Sequence, residues 1–260
     1  MAPLRLRARG GSLQLEQLRR CTRLIGELGR LRRWQAAVGV LELMRAECLQ
    51  PSVITYNAVI SACKEQHCVQ ALALVDEMRR LFLQPDVVTH NATLSALDRA
   101  HQWASALGLF GKMRRRRLRP DVTSFNTTIS ACARGQQGRQ ALRLLEGMRL
   151  ERVRPDVISF NASLHACQES QRWREAVALF GDLRARRLEP DAVTFSCLTS
   201  ACERAFQWRR ALEFSEELRE LGIAADLSWC GAALAACARG RRWDAALALL
   251  HAARAEQLRP

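Results

Sequence analysis

Asn57, Asn91, Asn126 and Asn161 recur at intervals of 34, 35 and 35 residues, and Ser196 follows 35 residues later. An amide carries two donors and an acceptor, a set that suits the edge of a base. Asn is a mediocre helix former because its side chain competes for backbone hydrogen bonds. Its return at one helical position in four consecutive units has no propensity or apolar-packing explanation. The plainer alternative is a polar ladder in which each Asn bonds to a neighbouring unit. Carboxylates recur with the same period at Asp86, Asp121, Asp156, Asp191 and Asp226. The first four follow a proline, and Asp in that place is a good helix N-cap. The same carboxylate can also orient the Asn of the preceding unit.

Other chemistry has less support. The chain has no GxxxxGK[ST], GxSxG, HExxH or GxGxxG signature. None of the five histidines, His67, His90, His101, His165 and His251, sits in a triad-like or metal-like context. No catalytic residue, metal site, cofactor or small-molecule substrate is expected. Of the ten cysteines, Cys63, Cys132, Cys167, Cys202 and Cys237 share one repeat position with Leu97. A position that accepts Cys or Leu is a small buried apolar site. No CxxC pair and no zinc-like Cys/His spacing occurs. The thiols suit burial or a reducing compartment.

The elements that position these groups follow from the period. Prolines fall at 51, 85, 120, 155, 190 and 260, and Ala225 stands where the remaining one would be. After them come PSVITYN, PDVVTHN, PDVTSFN, PDVISFN, PDAVTFS and ADLSWCG. A second cluster reads SACKEQHC, SALDRAHQW, SACARGQQG, HACQESQRW, SACERAFQW and AACARGRRW. A third is the apolar series ALALVDEM, ALGLFGKM, ALRLLEGM, AVALFGDL, ALEFSEEL and ALALLHAA, in which Met78, Met113 and Met148 recur as core. Each unit therefore reads as two helices joined by a short turn. Phe125, Ile129 and Cys132 make the apolar stripe of one first helix. Trp173, Ala176, Val177, Phe180 and Leu183 make that of a second. A degraded unit from about residue 18 precedes the rest, giving seven units at about 18–52, 53–86, 87–121, 122–156, 157–191, 192–226 and 227–260.

A net charge of +14, carried almost wholly by Arg, favours a polyanionic partner; a solvated basic surface is the plainer reading. No apolar run approaches the roughly 20 residues needed to cross a membrane. Residues 1–17 form a basic segment with Arg5, Arg7 and Arg9 and no acid before Glu16, which resembles a mitochondrial or plastid transit peptide.

Units reading VVTYN-like, then SACxxxxxW, ALxLFxxM and RRLxPD resemble the pentatricopeptide repeat family in its P-type tandem form. The resemblance covers about nine-tenths of the chain. It implies an all-α, right-handed superhelical solenoid of about seven 35-residue helix-turn-helix repeats, with the first helices lining the concave face. It implies single-stranded RNA as partner, one base per repeat. The selecting pairs would be Asn57 with Asp86, Asn91 with Asp121, Asn126 with Asp156, Asn161 with Asp191, and Ser196 with Asp226. Ile54, Val88, Ile158 and Val193 would sandwich the bases; Thr123 departs from that pattern. The Asn/Asp pairs imply uracil, with cytosine second, and hence a short U/C-rich tract. The units carrying Thr22 with Ser52, and Gly231, are assigned no base. Arg99, Arg134, Arg204 and Arg239, near the ends of first helices, are the expected phosphate contacts; Glu65 and Glu169 hold the same place in two other units. The implied setting is a mitochondrion or chloroplast. The implied role is RNA processing, stability, translation or editing, exerted by occupying RNA or recruiting other RNA-processing proteins. The alternative is a protein-binding helical scaffold without RNA readout.

Overall fold

The structure is a computed structural model. It describes residues 4–31, 33–47, 49–63, 67–223, 227–244, 246, 247 and 249, with side chains from residue 16 onward except at 227 and 228. The described residues form helices α1 (Leu4–Arg30), α2 (Trp34–Ala46), α3 (Val53–Ala62), α4 (Cys68–Arg80), α5 (Val87–Arg99), α6 (Trp103–Arg115) and α7 (Val122–Arg134). They continue with α8 (Gly138–Leu150), α9 (Val157–Glu169), α10 (Trp173–Ala185), α11 (Ala192–Arg204), α12 (Trp208–Glu220) and α13 (Leu227–Arg239). The helices alternate as the two members of each repeat. From Leu4 onward the basic amino-terminal segment belongs to α1, the first helix of the degraded unit.

The chain divides within α7 into two compact units, residues 1–127 and 128–260. In the first, α1 packs on α2 and α3, α3 on α5, and α5 on α6. Ile25, Leu41, Met44, Tyr56, Ile60 and Met78 are buried in one cluster there. In the second, α9 packs on α8, α10 and α11, and α11 on α12 and α13. Phe160, Leu164, Leu183, Phe195 and Leu198 are buried there, and the Phe180 ring meets Phe195 and Phe214 edge-on at 5.5 and 5.6 Å. A small unit buries its apolar face only against its neighbours, which is why the array needs tandem copies. The cysteine position is core throughout: Cys63, Cys132, Cys167, Cys202 and Cys237 are buried, as is Leu97. Burial pushes the thiols of Cys132 and Cys167 up to about 12, and those of Cys63 and Cys202 to about 11, so they stay neutral and unreactive.

Two local devices set the repeat. First helices open on a cap: Asp86, Asp156 and Asp191 each accept the N–H of the third helical residue, whose own hydroxyl accepts the cap's N–H. Such a reciprocal box satisfies two orphan donors, and a cap contributes about 1 kcal/mol. Helices end on a left-handed residue. His101, Gln136, Gln171 and Phe206 take positive φ between the two helices of a unit, and Phe82, Arg117, Arg152, Arg187 and Gly222 take it between units. Bonds such as Leu83 N–H to Met78 O (2.8 Å) and Gln102 N–H to Leu97 O (2.9 Å) then close the last turn.

Candidate nucleic-acid interface

The cap carboxylates and the recurring amides meet. The Asn91 amide nitrogen donates to Asp121 Oδ1 at 3.0 Å and lies 3.2 Å from Oδ2. Asn161 does the same to Asp191 at 3.0 and 3.2 Å, and Asn57 donates to Asp86 Oδ1 at 3.3 Å. A third residue completes each cluster. The hydroxyls of Thr89, Ser124 and Thr194 donate to the amide oxygens of Asn57, Asn91 and Asn161 at 2.6, 2.6 and 2.7 Å. The same hydroxyls lie 2.8–2.9 Å from the cap carboxylates. With its oxygen engaged by a hydroxyl, each amide is fixed in one orientation, its N–H₂ turned toward the carboxylate. The N-cap thus does two jobs: it opens its own helix and orients the Asn of the preceding repeat.

Each cluster remains open to solvent. The Asn side chains are partly exposed, and Asp86, Asp121 and Asp191 are exposed. Partial burial pushes the Asp86 carboxyl up, but the N–H and hydroxyl of Thr89 and the Asn57 amide outweigh it and hold it below the ordinary carboxylate range. Asp121 and Asp191 are held down in the same way. These groups are therefore anionic acceptors at neutral pH. Asn126 and Asp156 hold the same register, on α7 and at the cap of α9, in the two different units of the chain.

Beside each pair stands an apolar residue that packing does not explain. Ile54, Val88, Ile158 and Val193 are 71, 60, 64 and 51% exposed, one turn before the Asn or Ser of their helix. Thr123, at the same position on α7, is exposed as well. An exposed β-branched residue thus recurs one turn before each of these Asn or Ser positions.

Two predicted groups are placed differently from the rest. Ser196 is buried, at 8% exposure, and Asp226 lies outside the described residues. The register position of the relay hydroxyl is taken there by Trp229, which is buried. All four of the predicted phosphate-contact arginines, Arg99, Arg134, Arg204 and Arg239, are exposed; Arg204 also pairs with Glu169 at 3.1 Å and Arg239 with Glu203 at 2.8 Å. Arg239 also lies over the exposed Phe206 ring, 4.8 Å from its centre. The degraded first unit repeats the wiring with shorter groups: Thr22 Oγ1 lies 3.1 Å from Thr55 Oγ1, and Ser52 caps through Thr55. Sequence reasoning missed the relay hydroxyls altogether. The signal was available, since Ser or Thr stands three residues after every cap from Ser52 to Asp191.

This geometry can be set beside known proteins. A profile described as the PPR repeat family matches residues 51–99, 85–134 and 155–204. A pentatricopeptide repeat domain profile matches 17–66, and a PPR repeat profile 123–153. The chain belongs to the pentatricopeptide repeat family. Its helical repeat fold is that of the pentatricopeptide repeat protein PPR10 from maize, at 21% identity and a TM-score of 0.70 over 90% of this chain and 34% of that one. PPR10 in complex with an 18-nt psaJ RNA element is similar at 20% identity and a TM-score of 0.55, over 94% of this chain and 39% of that one. The PPR domain of Arabidopsis thaliana protein-only RNase P 1 in complex with tRNA matches at 15% identity and a TM-score of 0.57, over 64% of this chain and 88% of that domain. The chain thus spans between a third and two-fifths of PPR10. No curated protein sequence matches it significantly. The family's helix-turn-helix repeat therefore accounts for the period, and the Asn–Asp–hydroxyl clusters sit at the junctions of successive pentatricopeptide repeats.

Proposed function

We propose that this pentatricopeptide repeat chain binds single-stranded RNA, one base per repeat junction, with a preference for a short U/C-rich tract. The observation that carries the proposal is the amide–carboxylate pair of identical wiring at Asn57/Asp86, Asn91/Asp121 and Asn161/Asp191. Each pair presents an N–H donor beside a carboxylate acceptor, complementary to a uracil carbonyl and its neighbouring imide N–H. The exposed Ile54, Val88, Ile158 and Val193 would hold the base by its faces, worth roughly 1–3 kcal/mol per base. Preference for pyrimidines over purines follows from the family resemblance of the Asn/Asp combination. Relatives solved with an RNA element and with tRNA support the partner class. The family and the basic amino-terminal segment support an organellar setting, mitochondrion or chloroplast, with an effect on RNA processing, stability, translation or editing.

Titration of U-rich against A-rich single strands tests this reading. U-rich RNA is expected to bind more tightly, and Asn91→Thr to move preference at one base toward a purine. Equal affinity for the two strands rejects the readout, and unchanged specificity in the variant rejects the register. A protein-binding scaffold is the second reading. It is favoured by one observation, that the amides also tie neighbouring repeats together, and it predicts complexes that survive RNase.

A further inference from the structure

The second helices carry a cation ladder, and within the first compact unit it fails at one rung. Arg45 on α2 pairs with Glu77 on α4. In the other compact unit, Arg149 on α8 reaches Asp182 on α10 at 2.7 Å, and Arg184 pairs with Glu217 on α12. Each bond crosses a groove between consecutive second helices. The groove between α8 and α10 is lined by Leu142, Leu145, Glu146 and Arg149 on one side and by Glu175, Ala178, Leu179 and Asp182 on the other.

Repeat register puts Leu72, Val75, Asp76 and Arg79 of α4 opposite Ser105, Gly108, Leu109 and Lys112 of α6 in the corresponding groove. Here the acid is gone. Lys112 stands where Glu77, Asp182 and Glu217 stand in the rungs closed by an ion pair, and α6 contains no acidic residue at all. Arg79 turns back to Asp76 of its own helix at 2.9 Å. Its Nε and Nη2 are buried with no acceptor, and His90 Nε2, on a histidine only 1% exposed, also has no partner. Three buried polar atoms, on Arg79 and His90, are thus left unpaired where the acid of this rung is missing. Such groups are costly to leave unmade.

The rest of the groove describes what would complete it. Gly108 sits within a helix although a Cβ there would meet nothing within 4 Å, so no packing inside the chain explains its loss of helix propensity. Phe82, three residues beyond Arg79, is 91% exposed in a left-handed conformation that disfavours a bulky side chain. Cations gather at this end: Arg79, Arg80, Lys112, Arg115 and Arg116. The remainder, Leu72, Ser105 and Gly108, is uncharged.

We infer that the groove between α4 and α6 is a docking site for an amphipathic, acidic helix of a partner protein. Carboxylates at one end of that helix replace the missing rung, and an apolar face lies over Gly108 and against Phe82. A nucleic-acid backbone fits less well, because its charge is even along its length while the cations are confined to one end and Asp76 stands among them. The inference is independent of the RNA reading, which uses the first helices.

The test is fluorescence anisotropy of the full chain with a synthetic amphipathic helical peptide, leucine on one face and glutamates clustered at one end, alongside its glutamine counterpart. The glutamate peptide is expected to bind at least about tenfold more tightly than the glutamine one. Lys112→Glu restores the rung, so it should keep the melting temperature and the RNA titration while losing at least about tenfold in peptide affinity. Phe82→Ser should weaken the peptide as well. Equal binding of the two peptides, or binding unaffected by Lys112→Glu, overturns the proposal. So does displacement of the peptide by poly(U) together with an equal loss of RNA affinity in Lys112→Glu, which would make the groove a nucleic-acid surface.

Discussion

At the scale of single residues, the clusters show how one side chain can be structural and available at once. Asn91 is bonded on both sides of its amide, yet the bonds fix which edge it offers, and the carboxylate it meets is held charged by the N–H and hydroxyl of Ser124 and by the amide itself. His90 is a residue where this logic turns against stability. It occupies the position of Tyr56, Phe125, Phe160 and Phe195, and its Nδ1 lies 2.8 Å from the backbone oxygen of Asp86. Burial pushes the imidazole below its ordinary value; the Arg79 and Arg116 charges push the same way, against the Asp86 carbonyl and carboxylate. A depressed folded pKa means that its contribution is present above the unfolded value of roughly 6.5 and is lost as pH falls through the lower folded value. His90→Phe should therefore flatten the fall in melting temperature between neutral and mildly acid pH. Parallel pH profiles for the two proteins would refute this.

At the scale of elements, what was legible in the sequence was whatever the period repeats. The two helices per unit, the Asp caps and the buried Cys position all follow from residues 35 apart. Contacts between neighbouring units were harder to see. Glu169 visibly breaks the arginine pattern, but that it pairs with Arg204 depends on which helix lies alongside. Ser and Thr alternate at the relay position and look like ordinary box residues, so their bond to the previous Asn was hidden. The burial of Ser196 was equally hidden, since it depends on the helices packed around α11 and not on any residue of its own unit's pattern. The turns carry a separate consequence. Arg152 ends its helix with φ of 58°, a conformation glycine adopts freely and Arg does not. Arg152→Gly should raise stability by roughly 0.5–1 kcal/mol, about 2–4 °C by thermal melting. A lower melting temperature would show that the Arg side chain is held by something the turn does not reveal.

At the scale of the whole molecule, 40 basic residues against 26 acidic ones set a general attraction for polyanions that carries no sequence information. Part of that excess is neutralised internally, as Arg45, Arg149, Arg184, Arg204 and Arg239 show. In the proposed RNA reading, discrimination then comes from the neutral, fixed amides and the exposed apolar residues one turn before them. If about four phosphates are contacted, the logarithm of affinity should fall with the logarithm of salt at a slope near −3, while the ratio of U-rich to A-rich affinity stays level. A ratio that collapses with salt would assign the preference to charge.

Because Asn57, Asn91 and Asn161 are each held by the cap and hydroxyl of the unit after them, recognition in the proposed RNA reading belongs to seams and not to the repeats as bounded by their prolines. Exchanging a unit from proline to proline would therefore rewrite two specificities at once. A graft that cuts instead inside the first helices, between Thr89 and Asn91 and again between Ser124 and Asn126, would carry the Asn91, Asp121 and Ser124 seam across whole, and re-targeting by such grafts should preserve the letters on either side.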